Sequence, residues 1–217
     1  MVCIEFSLNH ERREGMKTKK IYVNNQELGM EDALAMTEGL GMEQGLEVKQ
    51  LRRLRLLAEE LFGMLRSITG VVEADYWVEY EAKSFEVHLK SDVSLTEEMK
   101  KQFLAASSSG ENAAAKGFMG RLKVLIAETL FANTASDSMM FSGLSMGLMS
   151  MASPTAMGAG STSYLWSMQK CKDEAEKNGE SEVWDELEKS IVANIADEVK
   201  VKIVGTNVEI IVCKVFE

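Results

Sequence analysis

The chain has 217 residues, enough to bury a full core, and its 34 acidic against 24 basic residues leave a net charge of −10. That charge keeps a chain soluble and repels nucleic-acid phosphate, so nucleic-acid binding is disfavoured. Cys3, Cys171 and Cys213 and the two histidines, His10 and His88, lack disulfide or metal-ligand spacing, which points to a reducing compartment and to thiols that pack as small apolar groups.

Residues 1–18 read as an N-terminal extension, where Glu5, His10, Glu11, Arg12, Arg13 and Glu14 leave no apolar run of signal-peptide length. A cytoplasmic protein is expected, with one domain over residues 19–217 and an insertion at about 133–197. "KKIYVNNQ" at 19–26 predicts a short strand closed by the Asn24-Asn25 turn. Residues 31–40 predict a helix through Leu34, Met36 and Leu40 that stops near Gly41 or Gly45.

The clearest helix covers residues 48–68, where Leu51, Leu54, Ala58, Leu61, Leu65 and Ile68 recur at intervals of three and four and Gly70 ends the run. A hairpin follows: Tyr76, Val78 and Tyr80 alternate with Trp77 and Glu79, Phe85, Val87 and Leu89 alternate with Glu86, His88 and Lys90, and Ala82-Lys83 makes the turn. One of its faces is expected on helices and the other partly wet. His88 has no neighbouring Ser, Cys or second carboxylate in sequence, so no triad or metal set is read around it.

Residues 95–104 predict a short helix capped by Thr96, and a further helix runs from Gly117 to Phe131 with Leu122, Leu125, Ile126 and Leu130 on one side. Between Asn133 and Trp166 the only charge is Asp137, and six methionines stand among Gly, Ser and Ala. Ser, Gly and the single proline, Pro154, interrupt this run, so it reads as an insertion packing on its own domain or on a partner rather than as a membrane span. Helices over 164–177 and from Ser181 onward are expected, then a terminal hairpin of "EVKVKIV" and "VEIIVCKVF" about "GTN". The sum is an α+β, two-layer sandwich: a mostly antiparallel sheet with helices on one face, and a Met-rich, mainly helical insertion.

Four stretches carry a further signal. Glu60 and Met64 stand four apart in "LRLLAEELFGML"; Asp92 ends "FEVHLKSD"; Lys116, Gly117 and Gly120 open a helix in "AKGFMGRL"; and Thr206 lies in "VGTNVEIIV". In this order and on these elements they resemble the GHKL ATP-binding fold of bacterial anti-sigma-factor kinases, sensor histidine kinases and gyrase. The resemblance covers roughly residues 19–131 and 198–216. It implies Glu60 as the catalytic glutamate near the attacking water, Asp92 as the partner of an adenine amino group, and Thr206 close to that aspartate. Lys116, Gly117 and Gly120 would hold phosphate at a helix N-terminus.

Two departures qualify that implication. Met64 stands where the family has a magnesium-binding asparagine, and a soft thioether does not suit Mg²⁺, which demands hard oxygens. Ser94 and Thr96 replace both glycines of the first glycine box. Each position also has an ordinary reading: Glu60 as a solvated helix carboxylate, Asp92 and Thr206 as turn residues, and the glycines as loop joints.

The resemblance therefore implies a degenerate GHKL-fold regulatory protein that binds ATP or ADP with little or no phosphoryl transfer, with Mg²⁺ in doubt and no other metal. A sigma-factor-like or other regulatory protein is the expected partner, and a homodimer is left open. Two alternatives stand beside this reading: an active ATP-dependent serine protein kinase of the anti-sigma type, and an interaction module that binds no nucleotide.

Overall fold

A computed structural model of the chain describes residues 16–26, 28–70, 72–93, 122, 126, 129–130, 163–178 and 190–217. In chain order these form β1 (Met16–Lys17), β2 (Ile21–Asn24), α1 (Met30–Glu43), α2 (Val48–Thr69), β3 (Glu73–Glu81), β4 (Ser84–Asp92), β5 (Ser163–Ser167), α3 (Met168–Asn178), α4 (Ile191–Ile195), β6 (Glu198–Val204) and β7 (Asn207–Val215). The strands make one sheet in the order β1-β3-β4-β7-β6-β5, with β2 also on β3, and every pairing is antiparallel. The architecture is the expected α+β two-layer sandwich.

Alternation along the strands sorts side chains between two faces. Tyr76, Val78, Phe85, Val87, Leu89, Ile210 and Val201 turn toward the helices and are almost wholly buried. The stripe of α2 lies over them, with Leu54, Leu57, Ala58, Leu61 and Leu65 at 0% exposure. Burying such leucines contributes about 1.5–3 kcal/mol each, which is why the long helix is the anchor of this layer. Leu122, Ile126 and Leu130, helical as expected, join the same core.

α1 crosses α2 closely because Gly41 lies under Leu51, where an added Cβ would sit 2.6 Å from Leu51 Cδ2. The helix passes Gly41 and ends at Glu43, just before Gly45, within the stop expected near Gly41 or Gly45. At its start, Gly29 has φ +73°, and an added Cβ would meet the Tyr22 carbonyl oxygen at 2.1 Å, so the joint between β2 and α1 is open only to glycine. Arg55 of α2 ties the two helices together, donating to Glu38 of α1 at 3.0 Å, Glu59 at 3.0 Å and Glu31 at 3.2 Å.

Two expectations change. Met16 and Lys17, read as part of the extension, belong to the sheet edge opposite Tyr80 and Glu79, where the Lys17 amine donates to Glu79 at 2.8 Å. Residues 164–167, read within a helix, belong to strand β5, because pairing with β6 satisfies a backbone at the sheet margin that a helix would leave unpaired. Within the insertion, Met168, Cys171, Val192 and Ala193 are buried in the common core, so residues 163–178 and 190–197 are built into the domain. The helix read at 95–104, most of the Met-rich stretch and the start of the helix read from Ser181 lie outside the described residues. Among the described residues no helix is long and apolar enough to cross a membrane.

Candidate functional site

Two of the residues singled out by the resemblance come together. Asp92 and Asn207 are register partners, and the Val93 amide donates to the Thr206 carbonyl at 2.9 Å, so the Gly205-Thr206 turn is held beside the end of β4. Asp92 is exposed and Thr206 half-buried. Alternation, however, turns Ser91 toward the helix layer, where its hydroxyl donates to the Glu73 carbonyl at 2.6 Å, and leaves Asp92 on the other face.

Glu60, half-buried, belongs to α2 in the helix layer, so the sheet stands between its layer and the face of Asp92. Met64 is 6% exposed within the core and presents no ligand surface. Lys116, Gly117 and Gly120 lie outside the described residues.

The face of the sheet opposite the described helices holds a cluster that the sequence reading did not assemble. Trp77 of β3 and His88 of β4 are register partners and stack with ring centroids 4.8 Å apart at 13°. They are 4% and 5% exposed, while Glu79, Glu86 and Lys90 around them are half-buried, so the face is partly wet as expected. Lys17 and Lys20 cover the indole, their amines 4.5 and 4.8 Å from the ring centroid, an arrangement in which alkyl stems shield an aromatic while the charges face its π cloud.

Around the imidazole stand three carboxylates. Glu209 of β7 accepts from Nδ1 at 2.9 Å; since an ionised carboxylate only accepts, Nδ1 carries the proton. Nε2 points the other way, 3.7 Å from Glu86 Oε2 and 3.9 Å from Glu79 Oε2, and has no hydrogen bond. The second oxygen of each carboxylate is occupied. Glu79 Oε1 accepts from Lys17 at 2.8 Å and from the Trp77 indole N–H at 3.0 Å. Glu86 Oε1 lies 3.5 Å from the Lys200 amine and accepts from the Cys213 thiol at 3.6 Å.

The electrostatics follow from these partners. The hydrogen bond from His88 lowers the pKa of Glu209 against a smaller opposing effect of burial. At Glu79 burial pulls the pKa upward, but Lys17, the Trp77 N–H and His88 together outweigh it, so the net direction is down. Burial, reinforced by the Glu86 charge, pushes Cys213 up to about 12, so its sulfur is a thiol at neutral pH and a poor nucleophile.

Part of this cluster was legible in advance. Counting outward from the Ala82-Lys83 turn sets Glu79 against Glu86 and Trp77 against His88. Glu209 was not, because its approach depends on β4 pairing with β7 across more than a hundred residues of chain. Compared with known proteins, the chain matches no family model, no curated protein and no solved structure.

Proposed function

We propose that this protein is a divergent GHKL-like regulatory module that acts by binding a protein partner and does not transfer phosphate. The observation that carries the negative half is the burial of Met64. At 6% exposure its thioether is core, so the helix position that would supply an oxygen to Mg²⁺ supplies packing instead. Phosphoryl transfer depends on metal-assisted charge neutralisation and on alignment of nucleotide with the catalytic group. Glu60 and Asp92 belong to opposite sides of the sheet, which removes that alignment as well.

The element order supports the positive half: a long helix on an antiparallel sheet, closed by a terminal hairpin whose turn returns to the end of β4. The expected partner is a regulatory protein of the sigma-factor-like kind. A second reading, in which the module also binds ADP or ATP, is favoured by the Val93–Thr206 contact that sets a threonine turn beside Asp92.

Two experiments test the reading. ATP turnover in Mg²⁺ is expected to be absent in the wild type and in Glu60→Gln alike; turnover that disappears in Glu60→Gln would establish the kinase alternative and overturn the proposal. Calorimetric titration with ADP and a non-hydrolysable ATP analogue decides the second reading. Saturable heat lost in Asp92→Ala supports nucleotide binding at the β4 end, and silence in the wild type leaves a module that binds protein alone.

A further inference from the structure

His88 Nε2 is the one buried side-chain nitrogen or oxygen among the described residues that lacks a hydrogen-bond partner, and its residue is 5% exposed. A buried polar atom left unmade costs about 1–3 kcal/mol, so its persistence calls for a reason. A simple imidazolium ion pair does not supply one: charge-assisted N–H···O bonds close to about 2.7–2.9 Å, and both carboxylate oxygens stand off at 3.7 and 3.9 Å.

That spacing has a different fit. Bonds of about 2.0–2.2 Å from a tetrahedral metal to nitrogen and oxygen put its ligands about 3.4 Å apart, within a few tenths of an ångström of these distances. One ligand atom from each of Glu79, Glu86 and His88 lies within 4.8 Å of the other two.

We infer that Glu79, Glu86 and His88 form a binding site for a divalent transition cation of the zinc type. Glu209 acts on His88 from behind, accepting its Nδ1–H and so directing the Nε2 lone pair at the two carboxylates. A carboxylate behind a histidine in this way fixes the tautomer and makes the ligand more basic. Lys17 and Trp77 hold the outer oxygen of Glu79, and Lys200 and Cys213 flank that of Glu86, so each carboxylate presents one oxygen to the centre. Three protein ligands leave a fourth position for water or for a donor atom of a partner. The imidazole nitrogen selects against Mg²⁺ and Ca²⁺, which prefer oxygen alone. Two carboxylates neutralise the cation, and the charge of Lys17 offsets that of Glu209. The site does not depend on the regulatory reading above, since it needs neither a nucleotide nor a docked protein.

The test is calorimetric titration of the full chain with Zn²⁺ after chelator treatment, alongside Mg²⁺ as a comparison. One saturable Zn²⁺ per chain is expected, with no Mg²⁺ heat. Glu79→Gln and Glu86→Gln, whose side chains are 38% and 41% exposed, are chosen over replacement of buried His88 because they leave the fold intact. Together they are expected to abolish binding, while Glu209→Gln weakens it by about 10–100-fold as the loss of an outer partner does. Co²⁺ is expected to quench the fluorescence of Trp77, which stacks on the ligand ring, and Glu79→Gln/Glu86→Gln to remove that quenching. Absence of Zn²⁺ binding in the wild type overturns the inference. So does undiminished binding in Glu79→Gln/Glu86→Gln, or binding abolished by His10→Ala.

Discussion

Single residues divide here into those whose chemistry is local and those whose partners come from far along the chain. Tyr76 is wholly buried, and its hydroxyl lies 2.6 Å from the hydroxyl of Thr37 on α1, which donates to the Ala33 carbonyl at 2.7 Å. Because the Thr37 proton goes to the carbonyl, Tyr76 must be the donor between the two. Burial raises its pKa well above the phenol's usual value, with the Thr37 bond opposing that rise only in part. Two substitutions separate the roles. Tyr76→Phe leaves Thr37 bonded and is expected to cost about 0.5–1.5 kcal/mol, whereas Thr37→Val strands the tyrosine hydroxyl and is expected to cost more, about 1–3 kcal/mol. Urea unfolding of both variants checks the order, and a larger loss in Tyr76→Phe would refute this assignment of donor and acceptor.

Among elements, the α1–α2 pair shows how one residue type carries opposite consequences two positions apart. A Cβ on Gly39 meets nothing within 4 Å, so Gly39→Ala is expected to stabilise by about 0.5–1 kcal/mol through helix propensity alone. At Gly41 the same change pushes against Leu51 at 2.6 Å and Leu46 at 3.2 Å in a packed layer. Gly41→Ala is expected to destabilise by about 1–3 kcal/mol, the usual range for overpacking, less what the helix gains. Chemical denaturation of the two variants measures the contrast; equal stabilities would mean that the helices are not in close contact at this point. Both helices end where their glycines imply, the first at Glu43 just before Gly45 and the second at Gly70, while Gly41 is what lets α2 approach, so packing tolerates a preference of about 1 kcal/mol against glycine.

For the molecule as a whole, the carboxylates around His88 tie stability to pH. Glu79 and Glu209 both titrate below the ordinary carboxylate value in the folded chain. A carboxylate depressed on folding contributes stability that is fully present above its unfolded value of about 4.3 and is lost as pH falls through its folded value. Stability is therefore expected to drop on acidification below about pH 4.3, and Glu209→Gln to flatten that acid limb. Unfolding midpoints from pH 3 to 7, taken with chelator present so that no metal intervenes, provide the check. An acid limb unchanged in Glu209→Gln would show that the His88 contact does not govern it.

The sequence alone determined the features that depend on short-range patterns. The stripe from Leu51 to Leu65, the hairpin about Ala82-Lys83 and the closing hairpin about Gly205 each repeat with the period of their own backbone, so neighbours in sequence predict neighbours in space. Their order was enough to derive a two-layer α+β sandwich. Tertiary structure decided what those patterns leave free: that β5 pairs with β6 instead of coiling, that Met16 and Lys17 join the sheet, and that Asp92 and Glu60 fall on opposite sides of it. It also decided the surroundings of His88. Period-two alternation names the face on which a strand residue lies, but which carboxylate meets it from the next strand is set by long-range pairing, and Glu209 reaches His88 only when β7 closes against β4.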